Sequence, residues 1–149
     1  MAAAHRCVCG CRRPDPGSPI LEVAADIMDA SRLESLRVLV VEDELLIRWS
    51  IAETLFKAGC YVTEVGDAAG ALRAAATGNF DAVILDYRLP DSDDLKLLEA
   101  LRTQLPQSTV VMMSAFGTPE IVQRAEALGV HRFLDKPFEM DALKDLLAA

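Results

Sequence analysis

The chain of 149 residues has no apolar run long enough to cross a bilayer and no excess of positive charge. A spanning helix needs about 20 consecutive apolar residues, and the longest runs fall far short of that. The formal net charge is −8 and no basic stripe is present, which argues against direct binding of nucleic acid. The opening residues, Met1-Ala2-Ala3-Ala4-His5-Arg6, lack the apolar stretch of a secretory signal. These absences together imply a cytoplasmic protein with no membrane partner, whose thiols stay reduced. What the chain does have is hydrophobic content, 52%, so disorder throughout is excluded and its length suits one domain with a real core.

The first 35 residues read as an N-terminal extension. Residues 1–19 hold prolines, glycines and polar groups without a hydrophobic period, the pattern of a disordered tail. Within them, His5, Cys7, Cys9 and Cys11 offer four soft ligands at single-residue spacing. Structural zinc sites space paired cysteines by two to four residues, so reduced thiols in a tail are the better reading. Residues 20–36 differ: Ile20, Val23, Ala24, Ile27 and Ser31 fall near one helical face, which predicts an amphipathic helix.

From Leu36 onward short apolar runs alternate with helical patterns. Strands are expected over residues 37–41, 61–65, 81–85, 109–113 and 131–134. Helices are expected over residues 44–58, ended by Gly59; 68–77, capped by Asp67 and ended by Gly78; and 95–103, stopped before Pro106. A fourth helix follows the Thr118-Pro119 start and ends at Gly129, and a fifth spans residues 139–147. Strands alternating with helices of about ten residues imply βαβ units, a parallel sheet and helices on both faces. The fold class is therefore α/β, one doubly wound domain over residues 36–149.

The residues that follow each strand carry the chemistry. Ala82-Val83-Ile84-Leu85 runs straight into Asp86 and then into the turn-forming Tyr87-Arg88-Leu89-Pro90-Asp91. Glu42, Asp43 and Glu44 follow the first strand, Ser114 the fourth, and Lys136 lies just past the fifth. A parallel sheet places all of these on its carboxyl edge, where ligands bind in open α/β sheets. Clustered carboxylates share protons or bind a cation, and hard oxygen donors with no His or Cys beside them suit Mg²⁺. Taken singly, each feature has an ordinary structural explanation, such as a charge at a helix N-terminus, a loop cap or a solvated lysine. Taken together, a metal, a lysine and a hydroxyl around a carboxylate make a phosphoryl-transfer site with Asp86 as nucleophile.

These motifs resemble the receiver domain of bacterial two-component response regulators, a flavodoxin-like module. Val38-Leu39-Val40-Val41-Glu42-Asp43-Glu44 is similar to that family's first strand and acidic pair, and Leu85-Asp86-Tyr87-Arg88-Leu89-Pro90 to its phosphoacceptor segment. Met113-Ser114-Ala115 and Phe133-Leu134-Asp135-Lys136-Pro137-Phe138 are similar to its hydroxyl and its switch-aromatic and lysine segments. The resemblance implies a five-stranded sheet of order 2-1-3-4-5 and phosphorylation of Asp86. It implies Mg²⁺ on Asp43, Asp86 and the backbone carbonyl of Arg88, with Glu42 helping through water. Ser114 and Lys136 would hold the phosphoryl oxygens, Phe133 would be the switch aromatic, and the Lys136–Pro137 bond would be cis. Four positions depart from the commonest pattern: Glu42 for aspartate, Ser114 for threonine, Phe133 for tyrosine, and Asp94 where glycine is frequent.

The implied function is that of a phosphoacceptor, not an enzyme, taking its phosphoryl group from a sensor histidine kinase or a histidine phosphotransfer protein. The chain carries no DNA-binding segment after its last helix, so the expectation is a receiver that signals by contact with a downstream protein. Homodimerisation through the fourth helix, fifth strand and fifth helix is open to the family. Three alternatives compare poorly. An aspartyl-phosphate phosphatase of the haloacid-dehalogenase type needs a second aspartate where Arg88 stands. A nucleotide or flavin module needs a phosphate-binding loop where Glu42-Asp43-Glu44 would repel phosphate. A structural, non-phosphorylated receiver-like module leaves the full set of Asp43, Asp86, Ser114 and Lys136 unexplained. On the first helix, Ile47, Ile51, Thr54 and Ala58 should meet the sheet. Leu45, Trp49 and Phe56 form an opposite face that docks a partner, is covered by the 20–36 helix, or is partly buried by its neighbours.

Overall fold

The computed structural model describes residues 33–92 and 95–148. The tail, the Cys7, Cys9 and Cys11 cluster, most of the 20–36 helix and Asp94 lie outside these residues. Leu33 is helical but residues 34–36 are not, so the expected helix does not reach Leu36. Ser35 takes a positive φ of 67°, which ends the turn, and its N–H donates to the Gly59 carbonyl (2.9 Å).

Among the described residues from Arg37 onward, five strands alternate with five helices. They are β1 (Arg37–Val41), α1 (Leu45–Lys57), β2 (Tyr61–Val65), α2 (Ala68–Thr77), β3 (Ala82–Asp86) and α3 (Lys96–Gln104). The chain continues through β4 (Thr109–Ser114), α4 (Pro119–Ala127), β5 (Arg132–Asp135) and α5 (Met140–Ala148). All strand pairs are parallel and the order is β2-β1-β3-β4-β5, the doubly wound arrangement expected from the sequence. The expected boundaries of β1, β2 and α2 hold to the residue, while β3, α3, β5 and α5 each sit one residue further along the chain.

The side-chain period of two in the strands divides the core into two layers. Leu39, Val41, Val83, Leu85, Val110 and Met112 point to the side covered by α2, α3 and α4. Val38, Val40, Ala82, Ile84, Val111 and Met113 point to the side covered by α1 and α5. Central β3 is buried along its whole length, which is why it reads as a continuous apolar run. The helix ends follow local chemistry. Asp67 Oδ1 accepts from the Gly70 N–H at the start of α2, and Thr118 Oγ1 accepts from the Ile121 N–H at the start of α4. Gly59 takes φ +95° after α1, a conformation glycine adopts without a Cβ clash.

Helix α1 shows both faces expected of it. Ile51 is fully buried, Ile47 and Ala58 pack against the same layer, and Thr54 returns its hydroxyl to the Ser50 carbonyl. On the other face Leu45, Trp49 and Phe56 are 65%, 57% and 69% exposed, so neighbouring described side chains do not cover them. Truncating Ile51 to alanine should therefore lower unfolding stability by about 2–5 kcal/mol. Trp49→Ala on the same helix should stay within about 0.5 kcal/mol of the parent, as surface substitutions do. Urea midpoints of the two variants check this; equal losses would mean that Trp49 is covered.

Candidate functional site

Strand register brings the predicted residues together. Val41 pairs with Leu85, so the next residues, Glu42 and Asp86, emerge side by side. Asp86 pairs with Met113 and Ser114 with Asp135, which places Ser114 and Lys136 at the neighbouring strand ends. One oxygen each of Glu42, Asp43 and Asp86 lies within 4.8 Å of the others. Glu42, Asp86 and Ser114 are buried, whereas Asp43 is exposed at the mouth of the cluster.

Lys136 organises the buried part. Its Nζ donates to Glu42 Oε2 (2.6 Å) and to Asp86 Oδ2 (3.0 Å). Glu42 Oε1 accepts from the Glu44 N–H (3.1 Å), so both oxygens of Glu42 are engaged by the protein. Asp86 Oδ1 accepts a long bond from the Arg88 N–H (3.3 Å), which folds the Arg88 segment back over the acceptor. Ser114 Oγ accepts from the Phe116 N–H (3.1 Å), and the Lys136 N–H donates to the Ser114 carbonyl (2.9 Å). The Lys136–Pro137 bond is cis.

Burial dominates the electrostatics of Glu42 and raises its pKa from 4.5 to about 7, against the opposing pull of Lys136 and the Glu44 N–H. Burial also disfavours the Lys136 ammonium, but its bonds to Glu42 and Asp86 outweigh this and raise its pKa. One ammonium bonds to two of the three carboxylates, so the cluster keeps a net negative charge. The donor set is all oxygen, partly exposed and under-neutralised, which fits a small divalent cation that keeps several waters.

Three residues that sequence reasoning passed over support the site. Arg48 on α1 donates to the Glu42 carbonyl (3.0 Å) and lies 3.6 Å from Glu64. A Cβ at Gly117 would sit 2.6 Å from the Phe133 ring, so glycine there lets the half-buried ring lie against the β4–α4 loop. Asp91 bonds to the start of α2. The Arg88 guanidinium stands 5.8 Å above the Phe116 ring, linking the loops after β3 and β4.

The response regulator receiver domain family matches residues 38–148. This chain belongs to that family. The response regulator protein FleR of Pseudomonas aeruginosa is 37% identical over 112 residues, covering 75% of this chain and 24% of FleR. The probable chemotaxis protein CheY of Rhizobium etli is 29% identical over 119 residues, 78% of this chain and 92% of that protein. The solved structure of the Vibrio cholerae chemotaxis protein CheY4 superposes with a TM-score of 0.71 at 30% identity, covering 76% of this chain and 96% of that one. This receiver spans about a quarter of FleR's length and 17% of the sensory/regulatory protein RpfC of Xanthomonas campestris. Membership places the domain in two-component signalling with a phosphoacceptor role. Among the described residues no helix is long and apolar enough to cross a membrane.

The raised pKa of Glu42 sets a sign for stability against pH. Between 4.5 and about 7 the folded receiver binds a proton at Glu42 that the unfolded chain has released. Unfolding free energy from this group therefore falls as pH rises through that window. Glu42→Gln should remove the effect, so without metal its stability relative to the parent should rise by on the order of 2 kcal/mol between pH 5 and pH 8. Urea titrations of both proteins at the two pH values check this; a constant difference would show that Glu42 titrates normally.

Proposed function

We propose that this receiver accepts a phosphoryl group on Asp86 from a phosphohistidine and signals the change by contact with a downstream protein. The observation that carries the reading is the convergence of Glu42, Asp43 and Asp86 within 4.8 Å, with Lys136 Nζ 3.0 Å from the acceptor carboxylate. Asp43, Asp86 and the Arg88 backbone carbonyl would hold Mg²⁺, with Glu42 acting through water or as a counter-charge. When bound, Mg²⁺ neutralises charge on the phosphoryl oxygens.

An Asp86 carboxylate oxygen attacks phosphorus as the P–N bond of the donor breaks. The imidazole leaves with the electron pair, and an acyl phosphate forms on Asp86. Lys136 moves its Asp86 hydrogen bond to a phosphoryl oxygen while keeping Glu42, and the Ser114 hydroxyl turns from the Phe116 N–H to donate to another. That movement of Ser114 draws the β4–α4 loop inward, and the Phe133 ring, resting against Gly117 in the same loop, follows it. The receiver assists its own phosphorylation and dephosphorylation and turns over no external substrate, and it works in the cytoplasm.

The exposed Leu45, Trp49 and Phe56 face of α1 is the surface we assign to the kinase or phosphotransfer protein. It starts beside the site, since Glu44 immediately precedes α1 and its N–H donates to Glu42.

Incubation with acetyl phosphate and Mg²⁺ should add one base-labile phosphoryl group, read by intact mass, and EDTA or Asp86→Asn should abolish it. A folded protein that takes no phosphoryl group from acetyl phosphate or from histidine kinases would overturn the reading. Trp49→Ala should slow transfer from a phosphorylated histidine protein by about tenfold, a loss in the range of an interface anchor. The same substitution should leave labelling by acetyl phosphate unchanged, and equal loss with both donors would exclude α1 as the docking face.

A further inference from the structure

We infer that Asp91 is a positioning residue, tying the loop after β3 to the start of α2 and so holding the Arg88 segment over the acidic site. The inference rests on the phosphoacceptor reading for its consequence, though not for its geometry. Asp91 Oδ1 accepts from the Ala68 N–H (2.7 Å) and Oδ2 from the Ala69 N–H (3.1 Å). Both are first-turn donors that no intrahelical carbonyl satisfies. The carboxylate comes from 23 residues away, across a different loop.

The sheet order gives this bond its meaning. Helix α2 begins just past β2, Asp91 lies just past β3, and β1 runs between those two strands. The tie therefore crosses the carboxyl end of β1, where Glu42 and Asp43 emerge. Its own loop is short and closed. The Leu89 N–H donates to the Ser92 carbonyl (2.8 Å), the Ser92 N–H returns a bond to the Leu89 carbonyl (3.2 Å), and the Leu89 side chain is buried in the core. Only Tyr87 and Arg88 separate this anchored turn from Asp86. Arg88 is thus fixed from both sides, by its N–H on Asp86 and by the turn that Asp91 fastens to α2.

Helix α2 supplies an internal control, because Asp67 caps it through Gly70 without touching the loop. Losing either carboxylate weakens the helix start, but only Asp91 connects it to Arg88. The test compares the full chain with Asp91→Ala, Asp91→Asn and Asp67→Ala. Calorimetric titration with Mg²⁺ in the absence of a phosphodonor gives one readout, and hydrogen exchange at the Leu89 amide gives a second that needs no metal.

Asp91→Ala should speed Leu89 exchange and weaken Mg²⁺ binding by about tenfold, the lower end of what a metal site loses with an outer support. Asp91→Asn, which keeps one acceptor oxygen, should recover part of both. Asp67→Ala should lower the urea midpoint while leaving Leu89 exchange and Mg²⁺ binding at parental values. Unchanged Leu89 exchange in Asp91→Ala overturns the proposal, as does an equal effect of Asp67→Ala on both readouts. Faster Leu89 exchange with unchanged Mg²⁺ binding also overturns it, because the tie would then not reach the site. A parent protein that neither binds Mg²⁺ nor accepts a phosphoryl group overturns the phosphoacceptor reading instead, and leaves the tie to be judged by exchange alone.

Discussion

The site depends on one ammonium shared by two buried carboxylates. Glu42 and Asp86 emerge, both buried, from adjacent strands, and Lys136 reaches both from a third strand end. Burying charge is costly, and an incompletely paired buried carboxylate is costlier still. The raised pKa of Glu42 is the sign that Lys136 alone does not offset that cost. An ammonium suits the task because it is a compact point charge whose three donors can be redistributed, whereas a guanidinium would lock one planar pairing. The site as it stands is therefore under-neutralised, and a divalent cation would relieve it.

The rest of the fold serves to keep those charges in place. A central strand buried on both faces cannot slip register without turning its apolar side chains into the wrong layer, so the position of Asp86 is fixed by the core beneath it. The loops above are fixed by side chains from elsewhere: Arg48 on the Glu42 carbonyl, Asp91 on α2, and the Phe133 ring against Gly117. A rigid scaffold carrying braced loops is the general way in which a few polar groups are held to reactive geometry.

Much of this was legible in the residues, and for identifiable reasons. Val38 to Val41 and Ala82 to Leu85 are apolar without alternation because they are covered on both faces. Asp67, Gly59 and Thr118-Pro119 announce helix ends through local chemistry. The single-residue offsets in β3 and β5 arise where Asp81 and His131 are polar residues just outside the strands and Asp86 and Asp135 are polar residues just inside them, so composition does not mark the edge. The long-range supports left no local trace. Asp91 in a Leu-Pro-Asp turn looks like an ordinary turn residue, and its partners lie in another βα unit. Arg48 looks like a solvated position on an amphipathic helix, yet it spans to Glu42 and Glu64. Glu42 was expected to act through water, and its complete burial follows only from the register of three strands.

Leu33 bears on where the folding unit begins. It is buried in the α1 and α5 layer, its carbonyl accepts from the Cys60 thiol (3.2 Å), and Ser35 and Leu36 exchange backbone bonds with Gly59 and Tyr61. The family match starts at Val38, five residues later. The cooperative unit is thus longer than the family's boundary, and residues 33–36 form a stem fastened into the core beside the end of α1. A domain trimmed to the family's own boundary would lose that stem and uncover the Cys60 side of the α1 and α5 layer.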